Sequence, residues 1–220
     1  MFLPQRFSTK KALEVQLEFA NRVSVRDDFN KPLQRVCGLD VAYHNQTAVG
    51  VAVLMSFPQM QMLEHAIVYC QSPIPYIPTY LSFREYPPLS LAFSALQKKP
   101  DLVFVDAHGR AHPRMLGAAS HFGVLKNIPT IGVAKRLLCG EIHSCPESFD
   151  NIIFKDQIVG ARVTSKAGCN PIYVSIGHRI SLKTAVDITL NCVTTYRLPE
   201  PTRWAHRYAT EARQMLKKKG

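Results

Sequence analysis

The sequence predicts an α/β fold, a central mixed sheet flanked by helices on both faces. Three observations predict it. Three apolar, β-rich runs succeed one another in the first third of the chain, as in an antiparallel meander. Helical and strand-like segments alternate after them, which is the pattern of parallel crossovers. Two of the apolar runs reach an aspartate, Asp40 and Asp106, at the strand ends where sheets of this kind open their crevices.

Taken in order, residues 7–25 place Leu13, Leu17, Ala20 and Val23 near helical spacing, with Ser8 and Thr9 available as N-caps. Residues 30–32 break that pattern. Strands are predicted at 36–42, ending at Asp40, then at 48–56 and 62–69 with a turn at Pro58. Residues 72–78 hold three prolines and form a loop. Residues 79–99 read as a helix that Pro87-Pro88 must break or kink. A short strand at 101–106 ends at Asp106, and 108–113 is a turn whose Pro113 opens a helix running to about 127. A strand follows at 130–134, then a polar stretch at 141–150. Residues 157–164 and 171–176 flank a turn at 166–170 and pair as a hairpin. Ser181 caps a helix over 182–196, and a last helix starts near Thr202 and frays over 217–220.

Composition narrows the classes of function. The 220 residues suit one domain, with no repeat or low-complexity tract. The longest clean apolar run, 49–55, falls far short of the ~18 residues of a membrane span. The first ten residues lack an apolar signal region, so a cytoplasmic monomer with no membrane partner is expected. Six cysteines are scattered without a C-x-x-C pair. Cys139, His143 and Cys145 lie close in sequence, but no second pair sits at zinc spacing, and reduced, mostly buried thiols are the better reading. Lys+Arg number 27 against 16 Asp+Glu, a net charge of +11 that favours a polyanionic partner.

The acidic residues carry the chemistry. A carboxylate that continues an apolar strand must be solvated, paired or bound to a cation. Either aspartate alone reads as an ordinary loop-start residue, but two at equivalent strand ends shift the balance, because adjacent carboxylates repel and commonly share a metal. Glu85, on the intervening helix, supplies a third carboxylate or is simply an exposed helical glutamate. Three oxygen donors suit Mg²⁺, with open positions for phosphate oxygen and water. Lys135 directly follows a strand and can meet a phosphate, or is a solvated lysine. His112 precedes Pro113 at a predicted helix N-terminus, where an anion binds, or is a packed histidine. His206, in the first turn of the last helix, can orient a water or lie free on the surface. No nucleophile elbow, phosphate-binding glycine loop or H-E-x-x-H zinc helix is present.

Several runs together resemble the endonuclease V family: Pro75-Tyr76-Ile77-Pro78, Phe83-Arg84-Glu85, Val105-Asp106-Ala107-His108-Gly109, His112-Pro113-Arg114, Gly132-Val133-Ala134-Lys135 and Leu198-Pro199-Glu200-Pro201-Thr202-Arg203. They occur in the family's order and cover most of the chain, from about residue 36 to 206. The resemblance implies a ribonuclease H-like fold with a five-stranded mixed sheet. It implies a DNA repair endonuclease specific for deoxyinosine and dependent on Mg²⁺, with Mn²⁺ as a substitute. Such enzymes cut the second phosphodiester bond 3′ of the lesion, leaving 3′-hydroxyl and 5′-phosphate ends, and some members cut inosine RNA. Asp40 and Asp106 match direct metal ligands and Glu85 completes the cluster; Lys135 matches the lysine near the scissile phosphate and His206 the histidine near the water. Pro75, Tyr76, Ile77 and Pro78 match a strand-separating wedge with Tyr76 at its tip, which fits a base that must leave the stack to be read. Thr79, Ala107, Gly109 and His112 match the substrate-binding region. The family usually has glycine where this chain has Thr79 and Ala107, so a side chain at either place narrows the base pocket or moves its backbone. An inosine-specific ribonuclease with the same site, and a non-catalytic nucleic-acid binder on this scaffold, are the competing expectations.

Overall fold

The computed structural model describes residues 7–72 and 74–219. Its elements are α1 (Thr9–Asn21), β1 (Arg35–His44), β2 (Thr47–Ser56), β3 (Met62–Gln71), α2 (Leu81–Ser94), β4 (Leu102–Val105), α3 (Ala118–Lys126), β5 (Thr130–Ala134), β6 (Glu141–His143), β7 (Asp150–Phe154), β8 (Gln157–Val163), β9 (Ile172–His178), α4 (Leu182–Asn191) and α5 (Glu200–Lys219). The strands form one sheet of order β3-β2-β1-β4-β5-β9-β8-β7-β6. β1, β2 and β3 are the antiparallel meander, and β4 and β5 join parallel to β1, so the five expected strands stand in ribonuclease H-like order. The sheet does not stop at five: β9, β8, β7 and β6 extend it antiparallel to nine strands.

Helices cover both faces because alternate strand residues feed two cores. Val36, Val49, Val51 and Val53 pack with Ala205, Ala209 and Ala212 of α5 and with Ala185 and Val186 of α4. Cys37, Leu39, Ala52 and Leu54 pack with Leu89 and Ala92 of α2 and with Ala119 and Phe122 of α3. β2 is buried along nearly its whole length, which explains its unbroken apolar run.

Several elements depart from expectation. β1 continues past Asp40 to His44 because β2 still pairs with it; what ends at Leu39↔Val105 is the parallel ladder with β4. α2 runs through Pro87 and Pro88 without a break. Pro88 cannot donate to the Arg84 carbonyl, and the Tyr43 hydroxyl donates to it instead at 3.3 Å. α3 starts at Ala118, not Pro113, since Met115 takes a left-handed φ of 53° and Gly117 becomes the N-cap. α4 is capped by Ser181 as expected but ends at Asn191. α5 begins at Glu200 and stays helical through Lys219, so 217–219 do not fray, while Gly220 lies outside the described residues. In α1 the apolar stripe is inverted: Leu13 and Leu17 are 37% and 52% exposed, while Gln16 is fully buried.

Candidate active site

Where the β1–β4 parallel ladder ends, the next residue on each strand is an aspartate. The Asp106 amide donates to the Leu39 carbonyl at 3.1 Å, so Asp40 and Asp106 emerge side by side. Asp40 shares the α5 face with Val36 and Gly38. That face also admits α5 closely, for a Cβ on Gly38 would fall 2.0 Å from the Pro201 carbonyl oxygen. The close approach carries His206, in the second turn of α5, to the carboxylates: its Nδ1 lies 2.8 Å from Asp40 Oδ2 and 3.4 Å from Asp106 Oδ2. Lys135, leaving β5, places Nζ 2.9 Å from Asp106 Oδ2. The backbone amide of Val41 donates to Asp40 Oδ1 at 2.8 Å.

Among the described residues, Asp40, Asp106 and His206 form the one group of three whose candidate ligand atoms lie within 4.8 Å of one another. Cys139, His143 and Cys145 form no such group, and all six cysteines are free. Glu85 stands outside the trio but within its field. Burial and then the charges of Asp40 and Asp106 push its carboxyl up to about 8. Burial likewise raises Asp40, against the hydrogen bond from His206. Burial would raise Asp106 too, but hydrogen bonds from His206 and Lys135 and the lysine charge outweigh it and hold the group low. His206 is raised to about 9 by its hydrogen bonds to Asp106 and Asp40, so at neutral pH it is a cation donating to both. Three converging carboxylates therefore draw in two side-chain cations, and one of the three still holds a proton at neutral pH. Hard oxygen donors that cannot all ionise unaided are the donor set a divalent cation fits.

A cavity of about 430 Å³ adjoins the acidic cluster, within the size range of ligand pockets. Asp106 and Lys135 line it, as do Tyr76, Thr79, Ala107 and His112. Tyr76 is 63% exposed on its loop, and Pro75, Ile77 and Pro78 frame it without lining the cavity. Pro73 lies outside the described residues. Ala107 has no left-handed backbone, so its methyl group is accommodated without strain, whereas Thr79 holds φ at 67°. For a β-branched residue that conformation costs roughly 1–2 kcal/mol.

Two predicted site residues are placed differently. Gly109 does not face the cavity: it packs on β9, where a Cβ would meet the Ile176 carbonyl oxygen at 2.1 Å, and its amide donates to Ser175 Oγ at 2.6 Å. His112 lines the cavity but not at a helix N-terminus. It is buried, its Nδ1 accepting the Arg114 amide at 3.2 Å and its Nε2 donating to the Thr79 carbonyl at 3.1 Å. Burial holds its pKa down at about 4, so at neutral pH the ring is uncharged, with both nitrogens engaged by the backbone. Ser82, Gly117 and Leu138 also line the cavity and had no sequence signal of their own. Ser82, directly before Phe83-Arg84-Glu85, keeps a buried hydroxyl without a partner there.

A ribonuclease H-like sheet with carboxylates clustered where its central parallel ladder ends, beside a lysine and a histidine, defines a nuclease-type catalytic domain. The sequence profile of Endonuclease V matches residues 17–207. The chain belongs to the Endonuclease V family and is an endonuclease. Endonuclease V of Trichormus variabilis is 42% identical over 212 residues, spanning 94% of this chain and 96% of that protein. The crystal structure of Endonuclease V from Streptomyces avermitilis superposes with a TM-score of 0.87 at 34% identity, covering 96% and 95% of the two chains. Ciona intestinalis Endonuclease V, solved with a 24-mer DNA containing an inosine followed by a ribo-adenosine, superposes with a TM-score of 0.85 at 29% identity, covering 94% and 98%. No described helix is long and apolar enough to cross a membrane.

Proposed function

We propose that this chain is a single-domain, monomeric cytoplasmic DNA repair endonuclease that recognises deoxyinosine. It hydrolyses the second phosphodiester bond 3′ of the lesion and leaves 3′-hydroxyl and 5′-phosphate ends. The observation that carries the reading is one continuous cavity shared by Asp106 and Lys135 of the acidic cluster and by Tyr76 and Thr79 of the wedge loop. A base extruded from the stack needs such a pocket beside the cutting site, and an exposed tyrosine between prolines can fill the gap it leaves. The inosine-containing DNA of the Ciona relative supports the substrate class.

Asp40 and Asp106, with Glu85, would hold Mg²⁺ or Mn²⁺, which when bound lowers the pKa of water and offsets charge on the phosphate. Lys135 neutralises a phosphate oxygen from its place beside Asp106. His206 bridges the two aspartates and positions the water that attacks phosphorus. The water oxygen stays on the 5′-phosphate as the bond from phosphorus to the 3′ oxygen breaks; the proton the water loses passes to solvent, and the departing 3′ oxygen takes one up from solvent. Incubation with Mg²⁺ and a duplex bearing one deoxyinosine should give a single nick 3′ of the lesion, and Asp106→Ala should slow it by about 100-fold or more. Lesion-independent cutting, or wild-type rates in the variant, would sink the assignment.

The ribo-adenosine after the inosine in the Ciona complex favours one second reading, an inosine-specific endoribonuclease with the same site. A parallel assay on inosine RNA decides between them: faster cleavage of RNA than of the matched DNA selects it.

A further inference from the structure

Thr79 is the residue on which the wedge loop is pinned. Its left-handed backbone turns the chain from Pro78 into α2, and its carbonyl oxygen receives three donors: Gln16 Nε2 at 2.9 Å, Arg114 Nη2 at 3.0 Å and His112 Nε2 at 3.1 Å. Arg114 Nη2 also reaches the Thr79 hydroxyl at 2.5 Å, and its Nε donates to Gln16 Oε1 at 2.5 Å. The Arg114 guanidinium lies 4.4 Å from the ring centre of Tyr80. Gln16 thus uses both ends of its amide, is fully buried, and sits 63 residues from Thr79 in sequence. Its burial while Leu13 and Leu17 face solvent is hard to explain by helix packing alone: α1 is turned so that a polar side chain points inward.

We propose that Gln16 and Arg114 are positioning residues that hold the wedge loop formed before nucleic acid arrives, and that α1 serves as the brace of base extrusion. The proposal rests on the deoxyinosine-directed reading above. Neither residue touches the acidic cluster; both act through Thr79. A loop held by three donors on one carbonyl enters the duplex without first being ordered, and preorganisation matters only where a stacked, paired base must be displaced. A single strand offers its inosine already unpaired.

The test compares Gln16→Met, which is close in size, and Arg114→Met, which keeps an apolar stem but loses the guanidinium, on one deoxyinosine strand presented paired and unpaired; both remove the hydrogen bonds to Thr79. Single-turnover nicking of the duplex should fall by about tenfold or more while nicking of the single strand stays near wild type. In parallel, 2-aminopurine placed 3′ of the inosine should brighten with wild type in EDTA and stay dim with either variant, reading wedge entry without cleavage. Equal loss on both substrates, or loss on neither, overturns the positioning role. A wild type that cuts neither substrate overturns the activity instead, and the 2-aminopurine signal then still decides the pin.

Discussion

At the scale of single residues, Glu85 is the most informative side chain of the site. Its carboxyl, raised to about 8 by burial and by Asp40 and Asp106, is protonated in the folded, metal-free protein and ionised in the unfolded chain above about pH 4.5. Such a group stabilises the fold fully below the unfolded pKa, and the contribution is lost as pH rises through about 8. His206, raised to about 9, acts in the same sense from about pH 6.5 upward. In EDTA the unfolding free energy, measured with denaturant, should therefore fall from pH 5 to pH 9, and Glu85→Gln should remove on the order of a few kcal/mol of that fall. Adding Mg²⁺ should lift the wild type most at the alkaline end. An unchanged slope in Glu85→Gln would show that the carboxylate is not under the strain described. Asp106 and Lys135 stand out in the sequence because each directly follows an apolar strand run, and Asp40 because it interrupts one. Ser82 and Gln16 were not, since a serine or glutamine in a helix gives no sign of what buries it.

At the scale of elements, the instructive case is α2. Two adjacent prolines announce a break from sequence, yet the helix is continuous, and at Pro88 the surroundings supply what the proline removes. Gly50 of β2 leaves room for the Pro88 backbone, where a Cβ would fall 2.2 Å from the carbonyl oxygen, and Tyr43 satisfies the Arg84 carbonyl. Tyr43→Phe should thus cost about 1 kcal/mol in denaturant unfolding. In a Pro88→Ala background, where the amide returns to the helix, the same change should cost less. Additive effects would mean that the hydroxyl does not replace the missing amide. The same locality explains β6, which lies in the polar stretch at 141–150, and β7, for which the sequence predicts no element: β6 buries no residue fully and β7 only Ile152 at its centre, so neither has the periodic apolar pattern that marks a strand. The meander, β4, β5 and the β8–β9 hairpin were legible because their burial is continuous or regularly alternating.

At the scale of the whole molecule, the net charge of +11 should govern encounter with nucleic acid more than choice of site. Affinity for an inosine duplex in metal-free buffer, followed by fluorescence anisotropy, should fall linearly in log–log form with salt, by about 0.9 per phosphate neutralised. Binding indifferent to salt would remove the electrostatic footprint from the account. The fold class was legible because strand order follows from the meander and the alternation after it, whereas the extension to nine strands depends on edge pairing that no local pattern encodes.

The notch at Gly38 has a further consequence, in time. Asp40 and His206 are 166 residues apart, and the helix bearing His206 docks on the first strand of the sheet. During synthesis the chain therefore carries its paired aspartates long before it can complete them. Among the described elements α5 is synthesised last, so the contact between Asp40 and His206 forms only after every strand of the sheet has been made.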